Sequence, residues 1–103
     1  MNGRLATVDL SAGVATAVYQ CPTAYAVATV TVVNRAHTPC VIKMAVGPNQ
    51  TPDPQDYIEF STEIPGKGHI ERTGVSVQSG NYIVVESDSA DVNCVIWGTE
   101  VGS

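Results

Sequence analysis

A chain of 103 residues makes one domain, 1–103, with room for a single modest core. With 44% hydrophobic and 15% charged residues it has the composition of a folded protein, not a disordered one. Ten acidic against five basic residues, with a pI near 4.6, argue against nucleic acid or an anionic membrane as partner, since both are bound through Lys and Arg.

No apolar run approaches the ~20 residues of a membrane helix. Met1-Asn2-Gly3-Arg4-Leu5 carries one charged side chain and no apolar segment, so no signal peptide is expected and the chain is expected to fold in a reducing cytoplasm. Cys21, Cys40 and Cys94 are odd in number and share no C-x-x-C spacing. They are expected as free thiols serving as small core residues. No two cysteines have the spacing of a zinc ligand pair, so no zinc site is expected.

In chain order, Leu5 to Leu10 alternates as a short strand with Ala6, Val8 and Leu10 on one face. Ser11-Ala12-Gly13 turns it. Val14 to Gln20 is a second strand near an edge, ended by Cys21-Pro22-Thr23. Tyr25 to Asn34 has no glycine, proline or charge and is dense in β-branched side chains. It is the longest predicted strand. Ala26, Ala28, Val30 and Val32 form its core face, and Tyr25, Val27, Thr29, Thr31 and Val33 the other. Arg35 to Pro39 is a turn, and Cys40 to Val46 the next strand, with Cys40, Ile42, Met44 and Val46 inward and Lys43 outward. So short a connection suggests an antiparallel hairpin.

Gly47 to Asp56 is a long loop whose three prolines are expected to exclude helix and central strand. Asp56 to Ser61 returns to strand, with Ile58 and Phe60 inward. Pro65-Gly66-Lys67-Gly68 turns the chain. It lacks the spacing of a phosphate loop. His69 to Val77 is a strand with a bulge or bend at Gly74. Tyr82 to Ser87 and Val92 to Gly98 read as a closing hairpin around Asp88 to Asp91. The sum is about eight strands without a helix: an all-β, single antiparallel β-sandwich, jelly-roll or immunoglobulin-like.

Catalytic and metal-ligating patterns are weak. His37 and His69 are the only general-base candidates near neutral pH, and both sit in or beside turns. No G-x-S-x-G or H-E-x-x-H pattern occurs. Asp53, Asp56 and Glu59, or Asp88 and Asp91, have the oxygens for calcium, but Asp belongs in turns through its own local hydrogen bonds. No enzyme, catalytic residue, cofactor or metal is expected. Trp97 falls on the outer face of the last strand with Asn93 and Val95, where an aromatic is a candidate interface anchor. Tyr57, outward with Glu59 and Ser61, is a weaker one. Arg72 shares a face with Ile70.

The run Ile64 to Val77 with its Glu71-Arg72-Thr73-Gly74 core, the Ser79-Gly80 turn and the closing Val92 to Glu100 resemble small virion structural proteins of tailed bacteriophages. Val32 to Arg35 and Asp56 to Glu59 fit the earlier half of the pattern. The resemblance spans Leu5 to Val101. It implies a β-sandwich without an active site, serving as a capsid decoration (cement) protein or as a tail, neck or fibre module. It also implies a virion location after synthesis in the host cytoplasm. The partners expected are the major capsid protein or other virion proteins, and copies of this chain as dimer or trimer. Arg72 is expected in a buried or interfacial ion pair. A carbohydrate-binding β-sandwich is the alternative of another class, though one Trp and 6% aromatics supply few sugar-stacking rings.

Overall fold

Short runs of β-branched residues broken by Gly, Pro, Asn and Asp turns produce strands and nothing else of length. The structure, a computed structural model, describes residues 2–102. Its strands are β1 Asn2–Leu10, β2 Thr16–Gln20, β3 Tyr25–Asn34, β4 Cys40–Gly47, β5 Tyr57–Ile64, β6 His69–Gln78, β7 Tyr82–Ser87 and β8 Val92–Val101. They form two antiparallel sheets, ordered β1-β8-β3-β6 and β2-β7-β4-β5. Each strand of the first half pairs with the one equally far from the β4–β5 connection: β4 with β5, β3 with β6, β2 with β7, β1 with β8. The chain is thus one long nested hairpin. Rolling it up adds the β3·β8 and β4·β7 pairings. That order is the jelly roll, and it decides between the two sandwich topologies the sequence left open.

The core lies between the sheets. Ala26, Ala28, Val30 and Val32 of β3 are buried beside Val92, Cys94 and Ile96 of β8, and face Ile42 and Met44 of β4 and Ile83 and Val85 of β7. Each fully buried Val or Ile contributes roughly 1.5–3 kcal/mol. The expected inward faces of β1, β3, β4 and β8 hold, and β2 is an edge strand as read. Gly74, at φ 67, sits where the β3·β6 pairing slips, at the expected bulge.

Four expectations change. The connection 35–39 does not close a hairpin, because β3 and β4 lie in different sheets. Nor do β7 and β8 form one. Five residues are enough to climb the ~10 Å between packed sheets, and hydrogen bonds at the corner favour the climb. The Asn34 amide donates to the carbonyls of Thr38, Ile64 and Pro65, tying the β3–β4 corner to the β5–β6 turn. Phe60 is not inward: it is 61% exposed. The β4·β5 pairing slips between Ile42 and Met44, and Ser61 takes φ 55. The extra residue in this bulge reverses the alternation, so Glu59 and Thr62 take the inner side and Phe60 swings out. Finally, the long loop holds one 3-10 turn, Pro54–Asp56. Proline costs nothing at a first helical position, and the Asp56 carboxylate accepts the Asp53 N–H at 3.2 Å.

Candidate interaction surfaces

Trp97 stands on the outer face of the β1-β8-β3-β6 sheet, 48% exposed, between Arg4 of β1 and Thr29 of β3. The alternation that buries Val92, Cys94 and Ile96 turns Asn93, Val95, Trp97, Thr99 and Val101 outward. The β3·β8 pairing sets these beside Val33, Thr31, Thr29, Val27 and Tyr25. None of these outward side chains on the two central strands is charged. The face's charges lie on the outer strands, Arg4 and Asp9 on β1 and Glu71 on β6. An apolar, aromatic middle inside a charged rim is the anatomy of a protein interface.

The opposite outer face differs. On its central strands Lys43 and Glu86 lie directly across from one another. Ala45 and Val84 are buried although they point outward, under a surface to which Tyr57 and Phe60 contribute. Those two rings meet edge to face, centroids 5.0 Å apart at 76°, with the Lys43 ammonium 4.9 Å from the Phe60 centroid. The sequence-predicted anchors Trp97 and Tyr57 are therefore on opposite sides of the sandwich, and Tyr57 is half-buried. Phe60, read as core, is the most exposed large apolar residue on the Tyr57 side.

Arg72 reaches across the open side of the sandwich. It projects from the edge strand β6 to Glu59 of the other sheet's edge strand β5, at 3.0 Å. Glu59, with its side chain 16% exposed, also accepts the Thr62 hydroxyl at 2.8 Å. The pair locks one sheet edge to the other within the chain. Arg35 and Asp9 are 2.8 Å apart but half or more exposed on both sides, beside a shallow recess lined by Thr7, Val8 and Asn93. Exposed pairs contribute ~0–1 kcal/mol, and a pair that must leave a desolvated carboxylate behind costs more to break. Arg72→Ala is expected to lower stability by about 1–2 kcal/mol, and Arg35→Ala by about 0.5 kcal/mol or less. Urea denaturation of both variants checks the order.

On the far open side the Tyr19 hydroxyl donates to Glu100 at 2.6 Å, joining β2 to β8. Burial and this carboxylate push the Tyr19 pKa upward. Burial raises the Cys40 thiol and lifts Cys94 to about 12. All three cysteines are free and buried, as the sequence reading expected. Buried thiols are shielded from reagents in solution, so a disulfide reagent is expected to label the folded chain slowly and the urea-unfolded chain promptly. The folded state holds the Cys40 and Cys94 protons more tightly than the unfolded one. Stability is therefore full below pH 9, the ordinary thiol value, and falls above it as the unfolded chain ionises. The Cys94 contribution alone is expected to be lost at up to about 1.4 kcal/mol per pH unit until its folded value is reached. Thermal melts at pH 8, 9 and 10 read this slope.

Every outer strand is irregular and the inner pairings are not. Register slips occur in β1·β8 near Arg4, in β2·β7 near Val18, twice in β4·β5 and once in β3·β6, whereas β3·β8 and β4·β7 run unbroken. Bulged edges resist the addition of a further strand. Association by sheet extension is thus discouraged on all four edges, which leaves the faces. Among the described residues no group of three or more His, Cys, Asp or Glu could hold a metal ion. No known protein-family model matches this chain, and no curated protein matches it in sequence.

Proposed function

We propose that this chain is a structural protein of a tailed-bacteriophage virion, most simply a decoration (cement) protein that binds the assembled capsid. The observation that carries this reading is the broad, charge-free middle of the β1-β8-β3-β6 face with Trp97 half-exposed within it. A surface of this kind gains free energy by being covered, and the bulged edges direct association to it. The likeness of Ile64 to Glu100 to small virion proteins supports the same reading. So does the jelly roll, which recurs in viral capsid and lectin domains, although fold analogy alone never assigns a function. On this reading the chain works by burying surface against the major capsid protein, each contact of order 1,200–2,000 Å² in total.

Cryo-electron microscopy of the particle tests it. Density for the sandwich is expected at regular positions on the shell, and a shell without it removes the reading. Copy number separates decoration from a tail, neck or fibre module: hundreds of copies per particle for the first, tens or fewer for the second. A sugar-binding role has one observation in its favour, the exposed Phe60 beside Tyr57. The two rings stand at 76°, edge to face, and do not form the flat platform on which a pyranose stacks. A glycan array is expected to be blank.

A further inference from the structure

We propose that the chain forms a two-fold dimer in solution by stacking the outer faces of its β1-β8-β3-β6 sheets, with the axis parallel to the strands. The occupant of this face is a second copy, and the placement of charge selects it. Asp53, Asp56, Glu63, Glu86 and Asp88 all lie on the other sheet or the connections beside it, with Lys43 as the basic side chain among them, so that side carries much of the net charge of −5. The β1-β8-β3-β6 face is close to balanced: Arg4 and Arg35 offset Asp9 and Glu71, and Asp91 at the end beside Arg35 adds a single negative charge. It is the side on which two acidic molecules can meet with little repulsion.

The rim charges also match themselves under one particular rotation. In the cross-strand rows, Asp9, Asn93, Val33 and His69 form the first, and Thr7, Val95, Thr31 and Glu71 the second. Arg4, Trp97 and Thr29 begin the third. A two-fold axis along the strands lays β1 of one copy over β6 of the other and keeps the rows aligned. Asp9 then faces His69 of the second copy, and Arg4 lies about one row from its Glu71, within reach of an arginine side chain. An axis across the strands would instead lay β1 on β1, with Arg4 against Arg4. In the first arrangement Trp97, in the middle row of the sheet, covers Thr29 and approaches Val27 of the second copy close to the axis. That is where interfaces concentrate their binding energy. The crossing of about 30° usual for aligned sheets displaces the rims more than this centre.

The size is right. Four strands ~4.8 Å apart and ten residues long, at ~3.3 Å each, give a face of roughly 600 Å² in projection before side-chain relief is added. A stable interface needs about 800 Å² of accessible surface per partner. The dimer is the state of the purified chain in solution; the same face cannot hold a capsid protein at the same time, so shell binding through it displaces the second copy, and the two are tested separately.

Sedimentation equilibrium on the full chain tests it. A dimer is expected, weakened about a hundredfold by Trp97→Ala, a central aromatic truncated to a methyl group. Arg4→Glu and Glu71→Arg each turn two symmetry-related attractions into repulsions. Each alone is expected to weaken the dimer about tenfold at low salt. An equimolar mixture of these two variants is expected to recover an affinity near that of the wild type, because in the mixed dimer the new acidic and new basic side chains face one another across one contact and the native Arg4 and Glu71 across the other. Arg4 and Glu71 are exposed, so unchanged circular dichroism and urea midpoints are expected for both variants. A chain that stays monomeric at millimolar concentration overturns the proposal. So does a dimer indifferent to Trp97→Ala, or a mixture no tighter than its components.

Discussion

Asn34→Ala is expected to lower the unfolding free energy by about 3–5 kcal/mol, the largest loss for any single polar side chain in this protein. Asn34 ends β3 with no exposed surface. Its amide nitrogen donates to Thr38 at 2.9 Å and to Ile64 and Pro65 at 3.2 Å each, and its Oδ1 accepts the Ala36 N–H at 3.0 Å. Those partners are backbone groups of two separate connections, the β3–β4 corner and the β5–β6 turn. A methyl group would leave them without a replacement in a site too enclosed for bulk water. Each buried group so orphaned costs about 1–3 kcal/mol. Asn34→Asp distinguishes this account from space-filling. The shape is kept, but a carboxylate would be set against three carbonyl oxygens, and the loss is expected to equal or exceed that of alanine. With a urea m-value of about 1–3 kcal/mol/M for a domain of this size, the midpoint falls by more than 1 M in either variant. A shift of a few tenths of a molar would show that the corner is held by something else.

Gly98→Ala is expected to cost at least about 3 kcal/mol, or to prevent folding. Gly98 lies in the central strand β8 with φ 153, between Gly3 of β1 and Ala28 of β3. A Cβ there would run into the Val27 carbonyl oxygen and come within 2.9 Å of the Ala28 Cα. Both are backbone atoms of the neighbouring strand, so no rotamer change relieves the clash. The sheet must part or the residue must change conformation, and either move disturbs the adjacent Trp97. Gly3→Ala is the control. Gly3 also has a positive φ, 108, but nothing lies within 4 Å of its Cβ position, so its cost is conformational only and expected near 1–2 kcal/mol. Thermal melts of the two variants side by side check the difference, and equal losses would show that crowding at Gly98 is not the cause.

Much of this was legible because alternation is a local signal. A strand buried on one face announces its own period, so β3 could be assigned both faces from Tyr25 to Asn34, and Trp97 could be placed outside from the burial of Val92, Cys94 and Ile96 alone. The buried thiols and the bulge at Gly74 were readable for the same reason. Phe60 was misplaced because one extra residue at Ser61 reverses the parity for Glu59 and Phe60 until a second slip restores it at Ile58, and a serine at positive φ leaves no mark in a sequence. Asn34 looked like the polar end of a strand. Its importance comes from carbonyls up to thirty-one residues away, which only folding brings near. Arg72 could be given a face and an ion pair, but not Glu59 as the partner, and the pair expected to be buried or interfacial lies within the chain and is exposed on its arginine side.

By itself the sequence determined the all-β class, the number of strands and the inward side of most of them, because each follows from side chains within a few positions of one another. The tertiary structure alone decided that neighbours in the chain, β4 and β5 excepted, occupy opposite sheets, that β1 lies against β8, and that negative charge gathers on one side of the sandwich. Those outcomes depend on which strand pairs with which over the length of the chain. A two-residue period is blind to that choice, since it is the same whichever neighbour a strand acquires.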